Sequence, residues 1–183
     1  MDSHKIHITP VTRSRLFTPK KYVKVGDKFW SCENARTLHG IDGDLRPNED
    51  YYDVNGEIYY TYEGALKIVP KGWHLPNAED YADLIKNIVS SSDAVSEQFG
   101  GSNASGLGME LLGYRNYLIV GGVYEKGVID HNERSYIMTD IPCTNKDCMA
   151  CLTIEHGYAD RFVMDKIDAY KRHGVSVRFV KDL

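Results

Sequence analysis

The residues of this 183-residue chain best suited to chemistry are its cysteines and one nearby histidine. Cys143, Cys148 and Cys151 form a C-x4-C-x2-C run, and His156 follows five residues later. Thiolates and imidazole are the ligands zinc prefers, and a C-x2-C step is a common half-site. The second half-site is incomplete, however, and the full spacing fits no zinc pattern. Free thiols or one strained disulfide are therefore expected ahead of zinc. Other catalytic signals are thin. No Ser/His/Asp arrangement, phosphate loop or nucleotide fingerprint is present. Gly100-Gly101-Ser102 and Gly106-Leu107-Gly108 lack the strand-before, helix-after setting of a phosphate cradle and read as turns. Arg115-Asn116 is suited to pairing with a buried acid and fixing a loop, and His74 to packing and hydrogen bonding. The expectation is a non-catalytic protein with no cofactor and no resident metal.

Tyrosine is the compositional outlier, at 13 residues. Tyrosine offers contact area, little side-chain entropy loss and a polar tip, which suits recognition. On strands it is also an ordinary β-former. Charge is unevenly placed. The net charge is −4. Residues 1–28 carry seven Lys and Arg against Asp2 and Asp27, a balance of +5, which leaves −9 for the rest. An acidic body argues against nucleic acid as a partner, and a basic arm suits docking on an acidic partner or an assembly. No stretch approaches the roughly 18–20 apolar residues that span a bilayer. The polar start Met1-Asp2-Ser3-His4-Lys5 carries no secretory pattern, so none is expected.

These residues must be held by elements that the patterning outlines. Residues 1–21, with Pro10 and Pro19, read as an arm, and 22–183 as the folded body. Tyr22–Val25 and Phe29-Trp30 read as a hairpin turning at Gly26-Asp27. Residues 39–57 are rich in turn formers and read as a long surface loop. Thr61 is placed to cap a short helix over Tyr62–Ile68, which Pro70-Lys71-Gly72 ends. Asn77 with Asp80 makes a cap for a second helix, whose Tyr81, Leu84, Ile85 and Ile88 form a core stripe closed by Ser90–Asp93. Tyr117–Val120, Val123–Val128 and Ser135–Thr139 are strand candidates. Val175, Val177 and Phe179 alternate with Ser176 and Arg178 in a last strand. Two early helices and a strand-rich second half give an α+β fold with a mainly antiparallel sheet.

Six ordered motifs then resemble one family. Pro70-Lys71-Gly72-Trp73-His74-Leu75-Pro76 is similar to the PKGWHLP signature of the Fibrobacter succinogenes major paralogous domain. Val25–Asn34 resembles its opening IG-x-Q-x-W-x-x-EN, and Tyr60–Ala65 its YTWEAA. Ser102–Gly106 resembles TNASG, Gly113–Asn116 GYRN, and Gly174–Asp182 GFSVRCVKD. The resemblance spans about Tyr22 to Leu183. It implies a C-type-lectin-like domain related to the formylglycine-generating branch: two helices packed on a mainly antiparallel sheet, long surface loops, and both termini in one sheet. The TNASG match implies a structural turn at Asn103-Ala104-Ser105, although that triplet is formally a glycosylation sequon.

Departures from the family shape the functional expectation. Relatives often place a cysteine before PKGWHLP and another in the last strand, where this chain has Val69 and Phe179. Two apolar side chains can replace part of a crosslink's stability without an oxidising compartment. Tyr136-Ile137-Met138-Thr139-Asp140 replaces the family's YWWSSTE, so a pocket built there would differ. No E-P-N cluster marks a lectin calcium site. The expected protein is a binding or structural module on a phage virion, as a decoration, head-fibre or tail-tip protein made in the host cytoplasm. The alternatives are a cell-surface adhesin or lipoprotein module and an enzyme of the formylglycine-generating type. The arm would drive homo-oligomerisation, a trimer being one form, or attach the body to an assembly partner. The ligand would be a host-surface protein or glycan, met by loops at about 39–57 and 129–161 through Tyr136, Tyr158 and Arg161.

Overall fold

The computed structural model describes residues 18–116, 119–120, 123–124, 127–157 and 161–183. Most of the arm, residues 1–17, lies outside them, as does Tyr158. The strands are β1 (Tyr22–Val25), β2 (Lys28–Ser31), β3 (His39–Gly40), β4 (Gly43–Asp44), β5 (Tyr51–Val54) and β6 (Glu57–Tyr60). They continue as β7 (Tyr114–Arg115), β8 (Ile119–Val120), β9 (Val123–Tyr124), β10 (Val128–Ile129) and β11 (Arg134–Met138). The last three are β12 (Cys148–Gly157), β13 (Arg161–Tyr170) and β14 (Val180–Asp182). The helices α1 (Tyr62–Leu66), α2 (Ala78–Asn87) and α3 (Ser91–Ala94) fall between β6 and β7. The architecture is mixed α+β, with several small antiparallel sheets and few helices.

Local chemistry explains most of these elements. The β1–β2 hairpin turns at Gly26, whose φ of +57° is cheap only for glycine. Thr61 caps α1 by accepting from the Gly64 amide at 3.2 Å, as expected. Asn77 and Asp80 cap α2 reciprocally, each side chain bonding the other's backbone amide. On α2, Leu84 is fully buried with Tyr81 and Ile88 beside it, but Ile85 is exposed. The apolar face is thus narrower than its stripe. Ser90–Asp93, expected to close α2, instead begins α3 with a capping box of its own.

Two regions correct the loop readings. Residues 39–57 hold two hairpins, β3–β4 and β5–β6. The second turns at Asn55-Gly56, both with positive φ, the geometry that suits a two-residue hairpin loop. Residues 129–161 are mostly strand. There β12 pairs with β11 on one side and along its whole length with β13 on the other.

The sheet β11–β12–β13 divides the interior. Tyr136, Met138, Met149 and Cys151 face one cluster, with Tyr60, Ile68, Val175, Val177 and Phe179. Ile137, Leu152 and Ile154 face the other, with Trp30, Leu84, Leu107 and Met109. The segment Gly174–Asp182 runs through the centre of the molecule. It bridges to Arg115, Tyr60, Ile137 and His74, then joins β2 as β14. The first and last strands of the body thereby share one sheet, β1–β2–β14, as the resemblance implied. Both faces are buried from Gly174 to Val180, so Ser176 and Arg178 lie inside.

Candidate functional site

The motif residues are occupied by the fold. Arg178 is fully buried. Its Nε donates to Asn34 Oδ1 at 2.8 Å, its Nη2 to the Gly108 carbonyl at 2.9 Å, and its Nη1 to the carbonyls of Leu107 and Ser31. The first motif, the last motif and the turn just after Ser102–Gly106 meet on this one guanidinium. Burial pulls its pKa down to about 10, against the raising effect of Glu110, Cys32 and Glu33, so it stays charged at neutral pH. His74 Nε2 lies 2.9 Å from the buried Asp80 Oδ2, and its backbone pairs with Val180. Asn103 accepts from the Gly108 amide at 2.8 Å, the structural turn expected of the sequon. Arg115 lies over the Tyr52 ring, 5.1 Å from its centroid, and donates to the Asn116 carbonyl.

The cysteines are all free thiols. Successive side chains of a strand point to opposite faces, so Cys148 and Cys151, three apart on β12, cannot face one ligand together. Cys151 is buried in the core, and burial pushes its thiol well above the ordinary range. Cys143 Sγ lies 3.3 Å from Asp168 Oδ1. Cys143, Cys148 and Cys151 do not converge as a three-ligand set among the described residues. The metal-type cluster found there is His74, Asp80 and Asp182. A cation already sits in it: Lys28 Nζ is 2.7 Å from Asp182 and 3.6 Å from Asp80. Val69 packs against the same cluster that holds the buried Phe179, as an apolar refilling of two cysteine positions requires.

Of the expected ligand residues, Tyr136 is 3% exposed on β11, not in a loop. Its hydroxyl donates to Asp130 Oδ2 at 2.5 Å and accepts from Arg134 at 3.0 Å, and its ring packs on Tyr114 at 4.8 Å. Burial, then the bond to Asp130, hold its hydroxyl pKa well above the ordinary value. Arg161 opens β13.

A different surface forms an open hollow. Residues of β5, α1, the loop before β12 and the turn after β13 enclose a cleft of about 930 Å³. Its floor is rigid. Asp50 is 2% exposed, receives the Lys67 ammonium at 2.7 Å and accepts from the Arg46 amide at 2.9 Å. Burial alone would raise the Asp50 pKa, but these donors outweigh it and hold the group below 3.8. Gly64 of α1 passes so close that an added Cβ would sit 1.9 Å from the Asp50 carbonyl oxygen. Tyr52 donates to the Arg172 carbonyl at 3.0 Å, and the Tyr62 amide to the Lys171 carbonyl at 3.0 Å, which fixes the turn after β13. On that turn Tyr170, half exposed, stacks on the buried His173 at 5.5 Å and 13°. Lys171 Nζ sits 4.9 Å from the Tyr62 ring centroid and links this cleft to a smaller one that Cys143 and Cys148 line. Sequence reasoning missed Tyr170, Lys171 and Arg172. The consecutive Tyr-Lys-Arg just before the last motif was the available signal.

No helix among the described residues is long and apolar enough to cross a membrane. No curated protein and no solved structure gives a significant match to the chain. The model of the Fibrobacter succinogenes major domain matches residues 23–181, nearly the whole body. Residues of its motifs, Asn34, Asp80-paired His74 and Arg178 among them, join strand, cap and turn in this structure, and the chain belongs to the Fibrobacter succinogenes major domain family.

Proposed function

We infer that this protein is a non-catalytic recognition module, presented on a larger assembly by its basic arm. One observation carries this reading. Key motif residues, Arg178, Asn34 and the His74–Asp80 pair among them, are spent on structural contacts, while an open cleft is built mainly by side chains outside the motifs, Arg46 to Tyr52, Lys67 and Asp147 to Arg172, with Thr61 and Glu63 added from one motif. Such a division, with motif residues holding the interior and mostly other residues forming the cleft, suits binding. We assign the frame to the C-type-lectin-like class, on the strength of the shared terminal sheet and the family motifs.

The setting that fits best is a phage virion, as a decoration, head-fibre or tail-tip protein assembled in the host cytoplasm and turned toward a host surface. Four free thiols and the apolar Val69 and Phe179 at the family's cysteine positions support folding in a reducing compartment. A cell-surface adhesin shares the binding role but would gain from the missing crosslink. The formylglycine-generating alternative draws no support from Cys148 and Cys151, which face opposite sides of β12.

Native mass spectrometry of the full chain and of a version starting at Tyr22 tests the presentation. The expected result is an oligomer for the full chain and a monomer for the trimmed one. Two monomers would remove the arm's proposed role and with it the support for display by self-assembly.

A further inference from the structure

We propose that the cleft floored by Asp50 is a binding site for a neutral saccharide, with Tyr170 as its stacking platform. This rests on the recognition reading and assigns the ligand class to one surface. Three features carry it.

The first is Tyr170 itself. It is 51% exposed at the cleft wall, unlike Tyr52, Tyr59 and Tyr60, which are buried. Its ring is held by the stack on His173, which in turn packs on Tyr114 at 5.2 Å. A ring fixed on one side and wet on the other loses little entropy when a ligand covers it. The electron-rich face of tyrosine attracts the weakly positive C–H face of a pyranose, as it attracts the edges of other rings.

The second is charge. Arg46, Lys67, Lys171 and Arg172 line the cleft, against Glu49, Asp50, Glu63 and Asp147. Four cations and four carboxylates give dense donors and acceptors with no net field. An anionic ligand needs a surplus of cations. Here Arg46 is already paired with Glu49 and Asp50, and Lys67 with Asp50. A neutral polyhydroxylated ligand can instead use paired charges, because each hydroxyl both donates and accepts.

The third is shape. The cleft, at about 930 Å³, falls at the upper end of small-ligand sites. It is an open trough that suits a short oligosaccharide, and its walls are pinned by Tyr52, Thr61 and the Gly64–Asp50 approach. Preorganised walls are what a weakly hydrophobic, strongly hydrated ligand requires.

The test uses the full chain, labelled with nitrogen-15. The probes are methyl glycosides of glucose, galactose, mannose and N-acetylglucosamine, with short unbranched glucan and chitin oligosaccharides. Glucuronate, sialyllactose and inorganic phosphate form the charged comparison. The expected result is saturable amide shifts around residues 48–50, 147 and 170–172 with at least one neutral probe, stronger for an oligosaccharide than for its monomer. Tyr170→Ala should weaken that binding roughly tenfold or more, while Tyr170→Trp keeps it. Because Tyr170 is half exposed, both variants should stay folded with at most a few degrees' loss of melting temperature for Tyr170→Ala, and melting measured beside binding separates lost binding from lost fold. Three results would overturn the assignment: no shift with any neutral probe, shifts with the charged probes alone, or wild-type affinity in Tyr170→Ala. Any of these leaves presentation on an assembly to stand or fall by the native mass spectrum.

Discussion

At the scale of single residues, Arg178 decides the most. A buried guanidinium without a carboxylate in its hydrogen-bonding shell is costly unless its donors are used, and here Asn34, Ser31, Leu107 and Gly108 accept four bonds from it. Removing the side chain leaves several buried acceptors without donors and opens a cavity. Arg178→Ala should therefore cost about 3–5 kcal/mol, read from urea unfolding. Arg178→Lys, with three donors on one nitrogen, should recover only part of this. A cost below about 1 kcal/mol for the alanine variant would show that the junction is not held by this residue. The thiols make a second residue-scale case. Cys151 is buried in the core, whereas Cys32, Cys143 and Cys148 are part-exposed. A thiol reagent should leave Cys151 unmodified in the native protein and reach all four only on unfolding. Native labelling of Cys151 would contradict its place inside β12.

At the scale of elements, α1 is too short to be stable alone and is held by its neighbours. Thr61 bonds the carbonyls of Glu49 and Asp50, and Gly64 lies against the Asp50 backbone. Gly64→Ala should destabilise by more than about 4 kcal/mol or prevent folding, because backbone and not a movable side chain occupies the space. A soluble, wild-type-like Gly64→Ala protein would mean that the helix and the β5–β6 hairpin can separate freely. Which elements could be read from sequence follows the same physics. The caps of α1 and α2, the β1–β2 hairpin and most of the α2 stripe are local and were legible, whereas the cap of α3 and the β3–β4 hairpin were not. The β5–β6 hairpin was legible too, since Asn55-Gly56 stands between Tyr-Tyr-Asp-Val and Glu-Ile-Tyr-Tyr, but the surrounding turn formers masked it. The β12–β13 pair was harder. Met149 to Ile154 are buried on both faces, so no period of two survives. The metal-like spacing of Cys143, Cys148 and Cys151 also read more naturally as a loop. The cleft was least legible, because it is assembled from Arg46–Lys67 and Asp147–Arg172, which are adjacent only after Gly174–Asp182 has threaded the core.

At the scale of the whole molecule, two titrating groups beneath the cleft tie its geometry to global stability, and they act at different pH. Asp50 is held below 3.8 by Lys67 and Arg46 against the opposing effect of burial. Its contribution is complete above that value and is lost as pH falls through the lower folded pKa. His173 is displaced in the same direction, but by burial alone. Burial lowers its pKa from 6.5, and it packs between Tyr170 and Tyr114 with its Nδ1 unpartnered. Below 6.5 the unfolded chain binds a proton that the folded imidazole resists, so each further fall in pH favours unfolding. The native protein should lose stability in two steps, one beginning below about pH 6.5 and one below about pH 3.8. His173→Gln keeps a planar polar side chain without the titration, and should flatten the first step while leaving the second. Asp50→Asn should flatten the second, leave the first, and lower stability at neutral pH by about 1–2 kcal/mol, the discounted worth of a pair whose lysine is partly exposed. Urea unfolding of the three proteins across pH 3–8 separates the contributions. If His173→Gln keeps the wild-type slope between pH 5 and 7, the imidazole is not the group that senses this range, and the stack beneath Tyr170 is not coupled to the fold through its charge.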